Sequence, residues 1–107
     1  MSNIARVWYG RTPSSKGEDY VEYMKKTGVK DLKNTEGNRG VLLLKRQNKD
    51  VTEFTIISFW ESIEAIKRFA GDDINKARYY PEDEKYLLEL PPELIHYEVS
   101  VASGLKL

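Results

Sequence analysis

The stretch VTEFTIISFWESIEAIKRFAG, residues 51–71, changes period midway. Over VTEFTIISFW the side chains are β-branched and aromatic, with Phe54, Ile56 and Trp60 on one face and Ile57 and Phe59 on the other. After Ser62, a good helix N-cap, Ile63, Ile66, Phe69 and Ala70 recur at helical spacing. Lys67 and Arg68 suit the C-terminal end of that helix, and Gly71 stops it. A buried strand running straight into an amphipathic helix is the join around which the other elements arrange themselves.

Just upstream, GVLLLKRQ and the turn residues NKD lead into the strand, so residues 40–60 read as a β-hairpin, in which Val41 and Leu43 oppose Leu42 and Leu44. Residues 3–11, NIARVWYGR, form a first strand around Ile4, Val7, Trp8 and Tyr9. Between them, Tyr20, Tyr23, Met24, Thr27 and Leu32 mark a helix from Ser15 to about Thr35, bent or ended near Gly28. Downstream, Asp73 is expected to cap a short turn carrying Ile74 and Ala77. Pro81 opens a further helix with Glu82, Asp83 and Glu84 in its first turn, burying Tyr86, Leu87 and Leu90. Pro91-Pro92 ends it, and LIHYEVSVAS, residues 94–103, supplies a fourth strand. The order β-α-β-β-α-β predicts an α+β, ferredoxin-like fold with a four-stranded antiparallel sheet, one domain over residues 1–107.

Cysteine is absent, which removes disulfides, thiol nucleophiles and thiolate metal sites together. Lys plus Arg balances Asp plus Glu at 17 each and the charges are interspersed, so neither a nucleic-acid partner nor an anionic membrane surface is expected. MSNIARVWYGRT meets Arg6 too early to build a signal sequence, and no segment reaches the ~18 apolar residues of a membrane span. A cytoplasmic protein is expected. Gly-rich phosphate loops, nucleophile elbows and HExxH are missing.

An antiparallel sheet covered by helices on one face needs only one apolar face, yet both hairpin strands carry large apolar residues on two. The second face would be a liability in water, so a second copy is expected to cover it, giving a homodimer with sheets packed face to face.

The strand ending in Trp60-Glu61-Ser62, the helix EAIKRFAG, the segment DINKARYYPED and the last strand with His96-Tyr97-Glu98 together resemble the antibiotic-biosynthesis-monooxygenase (ABM) domain of the dimeric α+β barrel superfamily. The resemblance spans nearly the whole chain and is carried by the W-x-S join and the F-A-G helix end. It implies a pocket between each subunit's sheet and its helices. It also implies a cofactor-free monooxygenase acting on a small aromatic or polyketide-like substrate, in which a deprotonated phenol or enol itself reacts with O₂. Haem-degrading relatives carry a catalytic Trp where this chain has Phe69, a haem-ligating His where it has Tyr79, and a first-strand Asn to which Arg6 is nearest. Phe lacks the indole N–H and Tyr is a harder iron ligand, so haem is the weaker reading.

His96 is the natural general base, being the side chain whose unperturbed pKa lies near neutrality. A structural His hydrogen-bonded at the sheet or dimer interface is the competing role, and strand alternation does not say which face it takes. Tyr79 is the second catalytic candidate. Tyr80, Trp60, Trp8, Phe69 and Arg6 are candidates for substrate contact, against packing for the aromatics and ion pairing for Arg6. Asp83 reads as a first-turn acid, and no acid or His cluster has metal-ligand spacing. The expected partners are a small-molecule ligand and a second copy, with no cofactor; the alternative function is a non-catalytic small-ligand-binding or stress-associated dimeric module on the same scaffold.

Overall fold

The computed structural model describes residues 3–107, so residues 1 and 2 of the predicted domain lie outside the described residues. The hairpin forms as predicted: β2 (Asn38–Asn48) and β3 (Val51–Trp60) pair antiparallel about Lys49, which takes a left-handed φ of 59°. β1 (Asn3–Pro13) lies on the other side of β3, and β4 (Ile95–Val99) flanks β1, giving the order β2-β3-β1-β4, antiparallel throughout. Helices α1 (Gly17–Lys26), α2 (Gly28–Asn34) and α3 (Ile63–Ala70) complete a ferredoxin-like α+β fold.

The bend expected near Gly28 falls one residue earlier. Thr27 leaves helical geometry (φ −119°, ψ −98°), and its hydroxyl donates to the Tyr23 carbonyl at 2.9 Å. Ser62 caps α3 by accepting the Ala65 N–H at 3.1 Å, and Gly71, at φ 88°, ends it. The buried stripe of α3 is Ala65, Ile66 and Phe69; Ile63, expected inside, is 41% exposed because it is the first residue after the cap and points outward.

The helix expected from Pro81 reduces to a 3-10 turn, Asp83–Lys85. Residues 72–94 form an irregular strap that mixes short local turns, such as Asp83 to Tyr80 and Leu87 to Asp83, with longer bonds: Ala77 to Pro92, Leu88 to Arg11 and Leu94 to Asn75. Chain that satisfies its N–H groups elsewhere has no need of an internal ladder. Accordingly Leu87 is buried, Tyr86 half-buried and Leu90 exposed. The last strand is also shorter than expected, and residues 100–107 are exposed coil.

Two apolar clusters sit between sheet and helices. Trp8, Tyr20, Met24, Phe54 and Leu87 form one; Leu32, Trp60, Ala65, Ile66 and Phe69 form the other. In the first, the Tyr20 ring lies 5.3 Å from both Phe54 and Tyr86. The opposite sheet face is apolar as anticipated from the hairpin, with Leu42, Leu44, Ile57 and Phe59 on it; Tyr9, Ile95 and Tyr97 join them, and Tyr9, Leu44, Ile95 and Tyr97 are exposed by 45, 46, 59 and 55%.

Candidate functional site

A cavity of about 60 Å³ lies where the two clusters meet, and counting the open solvent at its mouth the space reaches about 540 Å³. Arg6 and Trp8 project into it from β1, Ile56 and Ser58 from β3, Tyr20 and Met24 from α1, Phe69 from α3. The strap closes it with Arg78, Tyr79, Tyr80 and Asp83. Alternation along β1 puts Arg6, Trp8 and Gly10 on one face, and Gly10 is small of necessity: a Cβ there would lie 2.3 Å from the Trp8 indole.

β4 pairs with β1 so that His96 stands opposite Arg6, which places His96 on the helix side of the sheet. The Arg6 Nη1 donates to His96 Nε2 at 3.0 Å and to the Ile74 carbonyl at 2.5 Å, while Nη2 donates to the Lys76 carbonyl at 3.2 Å. A guanidinium has no acceptor, so His96 Nε2 is the lone-pair nitrogen and Nδ1 carries the proton, buried and without a partner among the described residues. Burial, and secondarily the Arg6 charge, hold the His96 pKa below its ordinary value. Arg6 itself is 3% exposed, and burial lowers its pKa to about 10, which leaves it a cation at neutral pH.

Asp83 is the buried carboxylate of the site. Its Oδ1 accepts from the Tyr20 hydroxyl at 3.1 Å and its Oδ2 from the Tyr80 N–H at 2.6 Å, so it ties the strap to α1 while facing the cavity. Burial raises its pKa, and those two hydrogen bonds oppose the rise. The Tyr80 hydroxyl donates to Asp31, and the Arg78 guanidinium lies over the rings of Phe69 and Tyr80 at 4.7 and 5.2 Å. The Tyr79 hydroxyl accepts from Trp8 Nε1 at 3.0 Å and donates to the Pro91 carbonyl at 2.5 Å.

Of the residues singled out from sequence, Arg6, Trp8, Phe69, Tyr79 and Tyr80 line one cavity. Trp60 and His96 do not. The Trp60 indole is fully buried and donates to Ser58 at 2.9 Å, sealing the core beneath the cavity. His96 stands behind Arg6. Asp83, Tyr20 and Arg78 also line the cavity; the sequence reads Asp83 as a first-turn acid, which it is, and Tyr20 as a helix residue, and does not single out Arg78. For Asp83 a local signal existed: an acid three residues after the start of a turn reaches back to its first N–H, as Asp83 does to Tyr80.

Sequence comparison with protein-family models and with curated proteins finds no match. Comparison of structures does. The fold is similar to that of a "putative antibiotic biosynthesis monooxygenase" from Bacillus cereus, with a TM-score of 0.69 over 98% of this chain and 100% of that one at 14% identity. A second protein so described, from Nitrosomonas europaea, gives 0.65 over 96% and 94% at 16% identity. The heme-degrader MhuD of Mycobacterium tuberculosis, with two hemes bound in its active site, gives 0.63 over 94% and 99% at 20% identity. The chain therefore has the ABM-type fold, and at such identities the likeness extends to fold alone.

The residues present do not fit haem. Tyr79 uses its hydroxyl on Trp8 and Pro91, so an iron bond there would have to break both hydrogen bonds. His96 Nε2 is engaged by Arg6 and so is not open to a haem iron; as a separate matter, among the described residues no three His, Cys, Asp or Glu side chains gather as a site for a bare metal ion. Nor is any helix among them long and apolar enough to cross a membrane.

Proposed function

We propose that the chain is a cofactor-independent monooxygenase-like enzyme that takes a small aromatic or polyketide-like molecule between sheet and helices. The observation that carries this reading is a buried carboxylate, Asp83, facing a cavity walled by Trp8, Phe69, Tyr79 and Tyr80. Carboxylates in such surroundings act as general bases when burial lifts their pKa toward the working pH. In this reading Asp83 takes a proton from an acidic C–H or O–H of the substrate, and the aromatic walls orient the ring. The resulting carbanion passes its electrons to O₂: R₂CH₂ + O₂ gives R₂C=O and H₂O, one oxygen entering the product and the other leaving as water.

His96 serves this scheme as a positioning residue rather than the base. Its Nε2 lone pair accepts from a cation, and protonating it would place two positive charges side by side. Tyr79 likewise holds Trp8 and the strap in place. At about 60 Å³ the cavity itself is smaller than the roughly 300–1,000 Å³ of a drug-sized site, so substrate entry requires the strap to move outward. That small volume favours a second reading, a binding module for a smaller ligand without turnover.

The exposed apolar face of Tyr9, Leu44, Ile95 and Tyr97 supports a homodimer in which a second copy covers it. The test of the enzyme reading is oxygen uptake with hydroxylated anthrones and naphthalenediols. Uptake well above the uncatalysed rate supports the monooxygenase; binding without uptake supports the module.

A further inference from the structure

We propose that the ligand of this cavity carries an anionic oxygen group, a carboxylate or an ionised phenol or enol, which seats on Arg6. This deepens the reading above and rests on the cavity being the ligand site. Arg6 lines the cavity at 3% exposure, and none of the ion pairs among the described residues includes it. Its partners are two carbonyls and a neutral imidazole. A buried cation with only neutral partners is an expensive arrangement, since dipoles replace lost hydration but do not neutralise charge. The other cavity cation differs: Arg78 has Asp31 at 3.8 Å.

Geometry agrees with a ligand role. Among the described residues three of the five guanidinium N–H groups are engaged, by Ile74, Lys76 and His96, and the other two have no partner there and can meet an incoming oxygen. Those three contacts come from the strap and from β4, so the fork is held in place before any ligand arrives. Arg6 also lies 5.9 Å from the centre of the Phe69 ring, and Arg78 lies over the same ring, so an aromatic anion could sit against Phe69 with its charged end at Arg6. A wholly structural Arg6, clamping the strap, makes the opposite prediction: the site would be indifferent to ligand charge.

The experiment is an anaerobic titration at constant ionic strength with benzoate, 2-naphthoate, their neutral amides, and a nitrophenol above and below its own pKa. Binding is read by tryptophan fluorescence and by the Arg6 Nε–H resonance in a ¹⁵N-labelled sample. The acids are expected to bind about tenfold or more tighter than their amides and to shift the Arg6 resonance. That preference is expected to vanish in Arg6→Met and to persist, weakened, in Arg6→Lys. A response to naphthoate alone assigns the group as a carboxylate; a response also to ionised nitrophenol extends it to phenolates. Equal binding of acids and amides, an unmoved Arg6 resonance with every acid, or a preference that survives Arg6→Met overturns the proposal. If Arg6→Met does not fold, the wild-type resonance and Arg6→Lys decide. Because oxygen is excluded, charge preference without turnover elsewhere removes only the monooxygenase reading, and turnover without charge preference removes only this one.

Discussion

The Arg6 guanidinium donates to His96 Nε2 across adjacent strands at 3.0 Å, and this pair joins the sheet to the cavity. Because His96 is kept neutral by burial first and by the Arg6 charge second, its folded pKa lies below that of the unfolded chain. As pH drops through about 6.5, the unfolded chain takes up a proton that the folded one refuses, so stability falls in that window. Thermal melts at about pH 7.5 and about pH 5 are expected to separate more in the wild type than in His96→Gln, whose amide oxygen can still accept from Arg6. Equal separation would remove His96 from the account. The same variant is expected to keep its oxygen uptake.

Asp83→Asn is expected to lower oxygen uptake about a hundredfold or more, the usual scale for losing a general base. Its stability effect runs the other way with pH. Burial raises the Asp83 pKa, so the wild type loses stability as pH rises above the free carboxylate range, about 4, and the variant does not. Urea titrations across acidic pH measure this, and parallel curves for the two proteins would contradict it.

Gly10→Ala probes the packing under the cavity. The new methyl would lie 2.3 Å from the Trp8 ring, so the indole must shift, and its bond to Tyr79 is expected to lengthen or break. A loss of about 1–3 kcal/mol is expected, with a change in tryptophan emission. Unchanged emission would mean that Trp8 has room the structure denies it.

Sedimentation equilibrium is expected to give twice the 12.4 kDa chain mass. Leu44→Lys combined with Ile95→Lys places charge on the exposed apolar face and is expected to yield monomer with little loss of secondary structure. A monomeric wild type would contradict the face-to-face arrangement.

Much of the fold was legible because its signals are local. The hairpin shows in the apolar pattern of residues 41–60, and α3 in Ser62 and Gly71, whose cap and stop both form. The strap was not legible, because its order comes from bonds such as Leu88 to Arg11, made far along the chain. Asp83 shows the same division. Its place in a first turn was readable, but its burial depends on Tyr20, 63 positions away. His96 was found by residue type alone, with both a base and a structural hydrogen-bonded role open, and only the β1–β4 register showed that its Nε2 accepts from Arg6 behind the cavity.

The most direct test of the central claim is the fate of ¹⁸O₂ with an accepted anthrone or naphthalenediol, comparing wild type with Asp83→Asn. The account predicts one labelled oxygen in the wild-type product, label in water, and near-background conversion by the variant. Conversion equal in both proteins, or none above the uncatalysed rate for any substrate the cavity binds, would contradict it.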